Sequence, residues 1–354
     1  MLKKIEILFR KFIFKLLIVL SSRKRGTSHP ELKKINRVTF IRLNRIGDAL
    51  VVTPIFSALK KYYNFQIVVL ADRKNFFVFK NNPHIDEIIT FQKGISGIKS
   101  AITVLNNSEI VVDLHDDVST TVSYLIALCK SPYKFALKKE NFNLFSHTIS
   151  KPDPTESHVI DRVLKLLELF DLEKPVNANV EFYPSHDALE TVSKKMNELN
   201  PEKIFHLGIN ISAGSDARFW GVNRYRELIR EVLAKYNNIH ITLLAAPGDI
   251  AAGEEISHEL CSLYYSNSFE EFGAFISKLD LLFTPDTSTV HLASSSKIPM
   301  FGLYVKYNTN NKIWYPYKSN YDCVITEEPN FDNLDTDKVI SSFLAFFEKN
   351  YYEK

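Results

Sequence analysis

The feature that most constrains this chain is a regular alternation between short runs of β-branched and aliphatic residues and segments with helical spacing. In the first half the apolar runs lie at 37–43, 66–71, 85–91 and 109–114, and the helical segments at 48–62, 118–129 and 158–170. Continuous apolar strands separated by helices are typical of a parallel sheet that is covered on both faces. The sequence therefore predicts an α/β fold.

A second alternating set follows a segment that is punctuated by four prolines between 152 and 184. Its predicted strands lie at 204–211, 239–245, 281–284 and 300–304, and 300–304 is predicted to be the final strand. Its predicted helices lie at 223–236, 254–263, 269–279, 289–296 and 335–350. A length of 354 residues suggests two domains. We predict an N-terminal extension at 1–35 and two Rossmann-like domains at 36–185 and 186–354, with a linker near 176–186. Ligands are expected in a cleft between the carboxyl ends of the two sheets.

Charge and cysteine content exclude several classes of protein. The net charge is only +3, which gives no reason to expect nucleic acid as a partner. The three cysteines, Cys129, Cys261 and Cys323, are far apart and show no CxxC spacing. This pattern argues against a disulfide framework and against a zinc site, and it fits a reducing cytoplasm.

The first 25 residues have the pattern of a basic amphipathic helix. At helical spacing one face carries Ile5, Phe9, Phe12, Leu16, Val19 and Leu20, and the other carries Lys3, Lys4, Arg10, Lys11 and Lys15. The favoured interpretation is a helix that lies on an anionic membrane surface. Packing on the protein itself or on a partner, and a secretory signal, are the alternatives.

The first candidate site follows the first predicted strand. Gly47 permits a tight turn, and Asp48 opens a helix at the carboxyl end of the strand, where a catalytic carboxylate can be placed. An N-cap is the structural alternative for Asp48. Arg42 and Arg45 are candidates to hold an anionic substrate, or are solvated. The glycine fingerprint of dinucleotide-binding proteins is absent.

The second candidate site is the small-residue loop after the strand at 204–211. Ser212, Gly214 and Ser215 can present hydroxyl and N–H groups to a phosphate, and Arg218 can neutralise it. A flexible loop with a surface Arg218 and a core Trp220 is the alternative.

The third candidate site follows the strand at 281–284. Asp286 comes first, then Thr287, Ser288 and Thr289 open a helix, and His291 lies one turn further on. The free N–H groups of a helix start bind anions, and Asp286 can accept hydrogen bonds from sugar hydroxyls. A capping motif with a buried His291 is the alternative.

Together these segments resemble glycosyltransferase family 9, the ADP-heptose:lipopolysaccharide heptosyltransferases, over roughly residues 36–320. The matching elements are Gly47-Asp48 with Pro54, a looser Asp113-Leu114-His115-Asp116, Arg218-Phe219-Trp220, and Asp286-Thr287-Ser288-Thr289-Val290-His291-Leu292-Ala293. Where the family has lysine, this chain has Arg218, which predicts an altered geometry at the donor phosphates. Where the family has glycine, it has Ser288, whose Cβ and hydroxyl would restrict the approach of the backbone to the donor and so bear on which donor is used.

The resemblance implies a GT-B fold of two facing Rossmann-like domains, the first binding the acceptor and the second the nucleotide sugar. It implies inverting transfer of a heptose from a nucleotide-diphosphate donor, ADP-heptose first among them, to an anionic lipid-linked core oligosaccharide, without metal or other cofactor. Asp48 would be the base. The implied donor-binding residues are Ser212, Gly214, Ser215, Arg218, Asp286, Thr287, Ser288, Thr289 and His291, and the implied acceptor-binding residues are Arg42, Arg45, Gly47, Arg73 and His115. The implied location is the cytoplasmic face of the inner membrane.

Two other functions are compatible with these residues. One is a sugar-nucleotide epimerase or hydrolase on the same architecture, which would act on the donor alone. The other is a non-catalytic family member that serves as a binding or scaffold protein.

Overall fold

The structure, a computed structural model, describes residues 28–352. This part of the chain forms two compact units that divide between Ala178 and Asn179. The division lies inside the segment 176–186 predicted as a linker. The acceptor and donor roles of the two domains stay predictions.

The first unit contains a six-stranded parallel sheet with the strand order β3-β2-β1-β4-β5-β6. Its strands are β1 (Arg37–Arg42), β2 (Gln66–Asp72), β3 (Glu87–Phe91), β4 (Ile110–Asp113), β5 (Tyr133–Leu137) and β6 (His147–Ile149). The strand order reverses direction between β1 and β4. In doubly wound folds this reversal opens a crevice at the carboxyl ends of the two strands.

The helices of the first unit are α1 (Ile46–Leu50), α2 (Pro54–Lys60), α3 (Ile95–Asn106), α4 (Thr120–Leu128) and α5 (Val159–Leu164), with a 3-10 helix at Lys165–Phe170. The prediction of a single helix at 48–62 is therefore wrong, because α1 and α2 are separate helices. Pro54 has no N–H, and its ring clashes with the carbonyl of Leu50 in a continuous helix. The N–H and the hydroxyl of Thr53 bond to that carbonyl instead, at 3.2 and 2.8 Å.

The second unit repeats the same topology, with the strand order β12-β11-β10-β7-β8-β9. Its strands are β7 (Phe205–Asn210), β8 (Ile239–Ala245), β9 (Ser262–Tyr265), β10 (Leu281–Pro285), β11 (Met300–Val305) and β12 (Tyr321–Thr326). Its helices are α6 (His186–Leu199), α7 (Val222–Lys235), α8 (Ile250–Ser257), α9 (Phe269–Ile276), α10 (Ser288–Ser295) and α11 (Thr336–Tyr352). Here the order reverses between β7 and β10.

Several short or edge elements differ from the sequence predictions. A helix was predicted at 254–263, but the observed helix α8 ends at Ser257. Glu259 then turns the chain in a left-handed conformation (φ 60°), and the last predicted residues, 262–263, belong to β9. The strand β11 is not the last, since β12 pairs with it along its whole length. The strands β5 and β6 and the helices α3 and α6 were not predicted at all.

The strand β1 is buried on both faces and makes the first sheet a rigid support. Val38, Phe40 and Ile41 have no exposed surface, and the ring of Phe40 packs edge-on against Phe56 at 5.4 Å and near Phe170 at 6.3 Å. Full burial of one such side chain stabilises a fold by about 1.5–3 kcal/mol. The residues that follow β1 are thus attached to a well-packed core.

Within residues 28–352, no helix has the length and apolar character needed to cross a bilayer. The amphipathic helix predicted for residues 1–25 lies outside the described residues.

Candidate active site

In each unit the predicted motifs follow the two strands at which the strand order reverses. In the first unit, residues 43–48 follow β1 and residues 114–116 follow β4. In the second unit, residues 211–219 follow β7 and residues 286–289 follow β10. We call these two groups of residues the first-unit cluster and the second-unit cluster. This is the position at which open α/β sheets bind ligands.

Asp48 lies in the first turn of α1 and is held by Arg42. The Arg42 side chain is only 4% exposed, and its terminal nitrogen Nη2 lies 2.8 Å from Asp48 Oδ1, whereas the Asp48 side chain is 19% exposed. The N-cap of α1 is Arg45, so Asp48 is the third helical residue and does not cap the helix. An acidic residue in the first turn is stabilised by the helix dipole.

Arg42 itself was predicted to contact the acceptor. In the structure its Nε donates to the Asp48 carbonyl at 2.8 Å and its Nη1 donates to the Leu114 carbonyl at 2.9 Å. The buried amide of Asn75 donates to the Arg42 carbonyl at 3.3 Å. These contacts make Arg42 a bridge between the segments that follow β1 and β4, and its contact with an acceptor stays a prediction.

His115 and Asp113 form a buried pair at the end of β4. His115 Nδ1 lies 2.7 Å from Asp113 Oδ1, and the Leu43 N–H donates to His115 Nε2 at 3.3 Å. A neutral ring with its proton on Nδ1 satisfies both contacts. Burial lowers the pKa of His115, although the Asp113 carboxylate acts in the opposite direction. Both ring nitrogens of this predicted acceptor residue are therefore bonded within the unit.

The charge of Asp113 is balanced by Lys139, which sequence reasoning missed. Lys139 Nζ donates to Asp113 Oδ2 at 2.7 Å and to the His115 carbonyl at 2.8 Å. Burial would raise the pKa of the Asp113 carboxyl, but the charge of Lys139 and the contact with His115 outweigh burial and hold this pKa well below its usual range. Nothing in the sequence around Lys139 signals this partnership, because the two residues are 26 positions apart.

Asp116 is bound by two cations that also come from distant segments. The buried Arg162 donates from Nε at 3.1 Å and from Nη2 at 2.8 Å, and Lys151 Nζ lies 3.5 Å from Asp116 Oδ1. The carboxylate is thus fixed by a fork of two donors from one guanidinium.

The rim of the first-unit cluster is cationic. Arg45 and Arg73 are exposed, as is Lys74 beside Arg73. The left-handed residue of the turn is Asn44 (φ 89°), whereas Gly47 lies inside α1. Asn44 therefore makes the tight turn that was assigned to Gly47.

In the second-unit cluster, Arg218 connects the two segments that carry the predicted donor residues. It ends a 3-10 turn at Asp216–Arg218. Its Nη1 lies 3.1 Å from Asp286 Oδ2 and donates to the Asp286 carbonyl at 2.8 Å. Because both contacts use one terminal nitrogen, the other terminal nitrogen and Nε can donate to a ligand.

Asn210, the last residue of β7, holds the starts of both segments. Its Nδ2 donates to the Ser212 carbonyl at 2.9 Å and to Thr284 Oγ1 at 2.8 Å, and its Oδ1 accepts from the Ser212 N–H at 3.2 Å. Sequence reasoning missed this residue, although an amide at the end of a buried strand was a usable signal. A buried amide with bonded donors and acceptor keeps the loop in one conformation.

The loop after β7 has one anchored end and one exposed part. Ser212 Oγ accepts from the Ala246 N–H at 2.7 Å and donates to Asp249, a second residue that sequence reasoning missed. Gly214 has a left-handed conformation (φ 68°), and both Gly214 and Ser215 are exposed. The exposed part can present backbone N–H groups to an anion.

The helix α10 begins two residues after Asp286. Thr287 occupies its N-cap position, and Ser288, the first helical residue, has no left-handed conformation that would require glycine. Thr289 and His291 are buried, and the ring centroid of His291 lies 6.0 Å from that of Trp314. The start of a helix has N–H groups without intrahelical acceptors and carries the positive end of the helix dipole.

Trp220 supports this cluster from the core. It is 1% exposed, and its ring packs against Tyr225 at 5.3 Å and Phe283 at 5.6 Å. Trp220 is therefore a core residue, as the alternative interpretation of this segment predicted.

No group of three or more His, Cys, Asp or Glu side chains with the geometry of a metal site occurs in residues 28–352. The prediction that the chain works without a metal stays a prediction.

The chemical resources of the two clusters are different. The first-unit cluster offers a partly exposed carboxylate, Asp48, within a network of buried ion pairs and a cationic rim. The second-unit cluster offers a guanidinium, a small-residue loop and a helix start, which together suit a phosphate or diphosphate.

Comparisons with known proteins concern the family and the fold. Lipopolysaccharide heptosyltransferase 3 of Escherichia coli strain K12 is 24% identical over 292 residues, which are 77% of this chain and 83% of that protein. The crystal structure of a family 9 glycosyl transferase from Veillonella parvula matches with a TM-score of 0.78 at 18% identity, over 93% of this chain and 100% of that one. ADP-heptose lps heptosyltransferase II of E. coli matches with a TM-score of 0.68 at 16% identity, over 88% and 99%.

The prediction of two Rossmann-like parallel-sheet units, the GT-B type of fold, is confirmed by the sheet order and by these structures. The sequence model described as glycosyltransferase family 9 (heptosyltransferase) matches residues 103–342, which is more than half of the chain. The chain therefore belongs to glycosyltransferase family 9, and it is a glycosyltransferase.

Proposed function

We propose that this enzyme transfers a heptose from a nucleotide-diphosphate donor, ADP-heptose, to the inner core of lipopolysaccharide, with inversion at the anomeric carbon. The observation that carries the proposal is the placement of Asp48. It is a partly exposed carboxylate at the carboxyl end of β1, and the buried Arg42 fixes its position. The names of the relatives support the sugar and the acceptor.

The proposed reaction is a single displacement. The acceptor hydroxyl is a poor nucleophile, so Asp48 accepts its proton as the oxygen attacks the anomeric carbon. The new bond forms between the acceptor oxygen and that carbon, while the bond from the carbon to the phosphate oxygen breaks. The electron pair of the broken bond leaves with ADP, and the configuration at the carbon inverts.

The second-unit cluster would bind the donor and stabilise the leaving diphosphate. Negative charge grows on the diphosphate in the transition state, and donors that are already in place stabilise it without reorganisation. Arg218, the loop at 212–215 and the first turn of α10 supply such donors. Asp286 would orient the donor sugar by accepting hydrogen bonds from its hydroxyls.

The two departures from the family pattern are compatible with this role. Ser288 lies in the first turn of α10 and needs no glycine conformation. Arg218 keeps the positive charge of the usual lysine and adds planar donors. We propose that both residues tune the donor geometry and leave the reaction type unchanged.

The acceptor would be an anionic, lipid-linked core oligosaccharide. The exposed Arg45 and Arg73 offer charges to its phosphates or carboxylates. We propose that the enzyme acts at the cytoplasmic face of the inner membrane, with residues 1–25 as the segment that contacts the lipid surface. No resident cofactor takes part in this scheme.

The test is a donor screen with mass detection. ADP-heptose and other nucleotide sugars are incubated with the enzyme and with lipooligosaccharide from a mutant strain that lacks it. The expected product is the acceptor plus one heptose, from ADP-heptose only. Release of free sugar or of an epimer without acceptor modification would refute the proposed transfer.

Asp48→Asn tests the assignment of the base. The turnover number is expected to fall by about 10²–10⁴-fold, while calorimetry shows nearly unchanged ADP binding. Asp117→Asn is the matched control, because this carboxylate is 93% exposed and lies in the same unit. Full turnover by Asp48→Asn would remove Asp48 as the base.

A further inference from the structure

The guanidinium of Arg42 contacts Asp48 through two of its nitrogens. Its Nε donates to the backbone carbonyl of Asp48 at 2.8 Å, and its Nη2 contacts the side-chain Oδ1 at 2.8 Å. The third nitrogen, Nη1, donates to the carbonyl of Leu114 at 2.9 Å. One buried side chain thus fixes the backbone and the carboxylate of Asp48 against the segment that follows β4.

The helix that carries Asp48 is a single short turn, whose last two residues, Ala49 and Leu50, are buried. The helix α1 contains five residues, and its N-cap Arg45 makes no side-chain capping hydrogen bond. A single helical turn is unstable on its own in water, since the cost of nucleation is not recovered. The three contacts of Arg42 supply a tertiary restraint at this turn.

The other charges around Arg42 are bound elsewhere. Burial lowers the pKa of Arg42, and the carboxylates of Asp48, Asp113 and Asp116 act in the opposite direction. Asp113 pairs with Lys139 and with the neutral His115, and Asp116 pairs with Arg162 and Lys151. The carboxylate that pairs with Arg42 is therefore that of Asp48.

We propose that Arg42 is a positioning residue for sugar transfer, which binds Oδ1 of Asp48 and leaves Oδ2 as the oxygen that takes the proton of the acceptor hydroxyl. The inference rests on the proposed function. A planar fork suits this task, because Nε, Nη1 and Nη2 donate from three separate atoms in fixed directions, whereas an ammonium donates from a single atom. Arg42→Lys therefore keeps the charge and loses the geometry.

The experiment compares Arg42→Lys with Arg37→Lys, the same change at the opposite end of β1. Arg37 contacts Glu87 and Gln66 at the amino end of the strand. Initial rates are measured with ADP-heptose and with lipooligosaccharide from a strain lacking the enzyme. We expect the turnover number of Arg42→Lys to fall by about 10- to 100-fold with an unchanged KM for ADP-heptose, because a displacement of about 1 Å at the reacting group has that effect. The control should keep the wild-type turnover number.

A second variant separates positioning from a general loss of folding. In Arg42→Ala, added guanidinium or ethylguanidinium at non-denaturing concentration should restore part of the turnover, and should not do so in Asp48→Asn. A general loss of structure would instead lower the thermal midpoint and leave no rescue. Wild-type turnover in Arg42→Lys, or equal losses in Arg42→Lys and Arg37→Lys, would overturn the inference.

The failure of the proposed function has a different signature. If Asp48→Asn retains full turnover, the base assignment fails and the inference with it. If Asp48→Asn is inactive while Arg42→Lys has the wild-type turnover, only the positioning role is refuted.

Discussion

Replacing Lys139 by methionine should destabilise the first unit strongly at neutral pH. The Asp113 side chain has no exposed surface, and the Lys139 side chain is 4% exposed, with Nζ 2.7 Å from Asp113 Oδ2. Removal of one partner from a buried ion pair leaves an uncompensated charge and costs about 3–5 kcal/mol. In a unit of this size that corresponds to a fall in the thermal midpoint on the order of 10 °C.

The pH dependence of this loss carries the sharper test. In the wild type, burial raises the pKa of Asp113, but Lys139 and His115 outweigh burial and hold this pKa below its usual range. The carboxylate therefore favours folding above its unfolded pKa, and the contribution is lost as the pH falls through the folded value. Without Lys139, burial is left as the dominant effect and raises the pKa of Asp113. The folded variant then prefers the protonated form, so the deficit relative to wild type should shrink between pH 7 and pH 4.5.

The assay must report on the first unit alone. Both tryptophans, Trp220 and Trp314, lie in the second unit, so fluorescence follows that unit. Hydrogen exchange of peptides from β4 during urea titration follows the first. Lys138→Met is the control, because Lys138 is exposed and adjacent.

Two results would refute the reasoning. One is an equal loss of stability in Lys139→Met and Lys138→Met. The other is a deficit that stays constant from pH 7 to pH 4.5. The double variant Asp113→Asn/Lys139→Met should be more stable at pH 7 than Lys139→Met, because it removes the buried charge as well as its partner.

Two further predictions concern the second unit. Arg218→Ala should weaken binding of ADP by about 10- to 100-fold, since a charge-assisted hydrogen bond contributes about 1.5–3 kcal/mol. Calorimetry measures the affinity for ADP, with Arg230→Ala as the control because Arg230 is exposed. Equal affinities of the two variants would contradict the role of Arg218. Gly214→Ala should lower the stability of this unit by about 1–2 kcal/mol, because a Cβ is strained at φ 68° although no atom lies within 4 Å of it. Gly248→Ala has equal space without the left-handed conformation, so tryptophan-detected unfolding should show a smaller loss there.

The sequence by itself determined the fold class and the positions of the candidate motifs. The strands β2 and β4 contain continuous apolar runs at 67–71 and 110–112, and the burial of these residues follows from that composition. Asp48, Arg218 and Asp286 could be located because each follows the end of such a strand. These signals are local, so they can be read from a few neighbouring residues.

Only the tertiary structure decided the remaining elements and the roles within each cluster. The strand β6 has three residues and pairs with β5 alone, so its identity depends on a neighbour and not on its own composition. Arg42 has the same sequence signature as a solvated arginine, yet its acceptors include the carbonyl of Leu114, 72 residues away. Lys139 and Asn210 also act on partners that the chain brings near only after folding. The sequence places a charged group at the end of a strand, but the atoms that surround it are set by long-range packing.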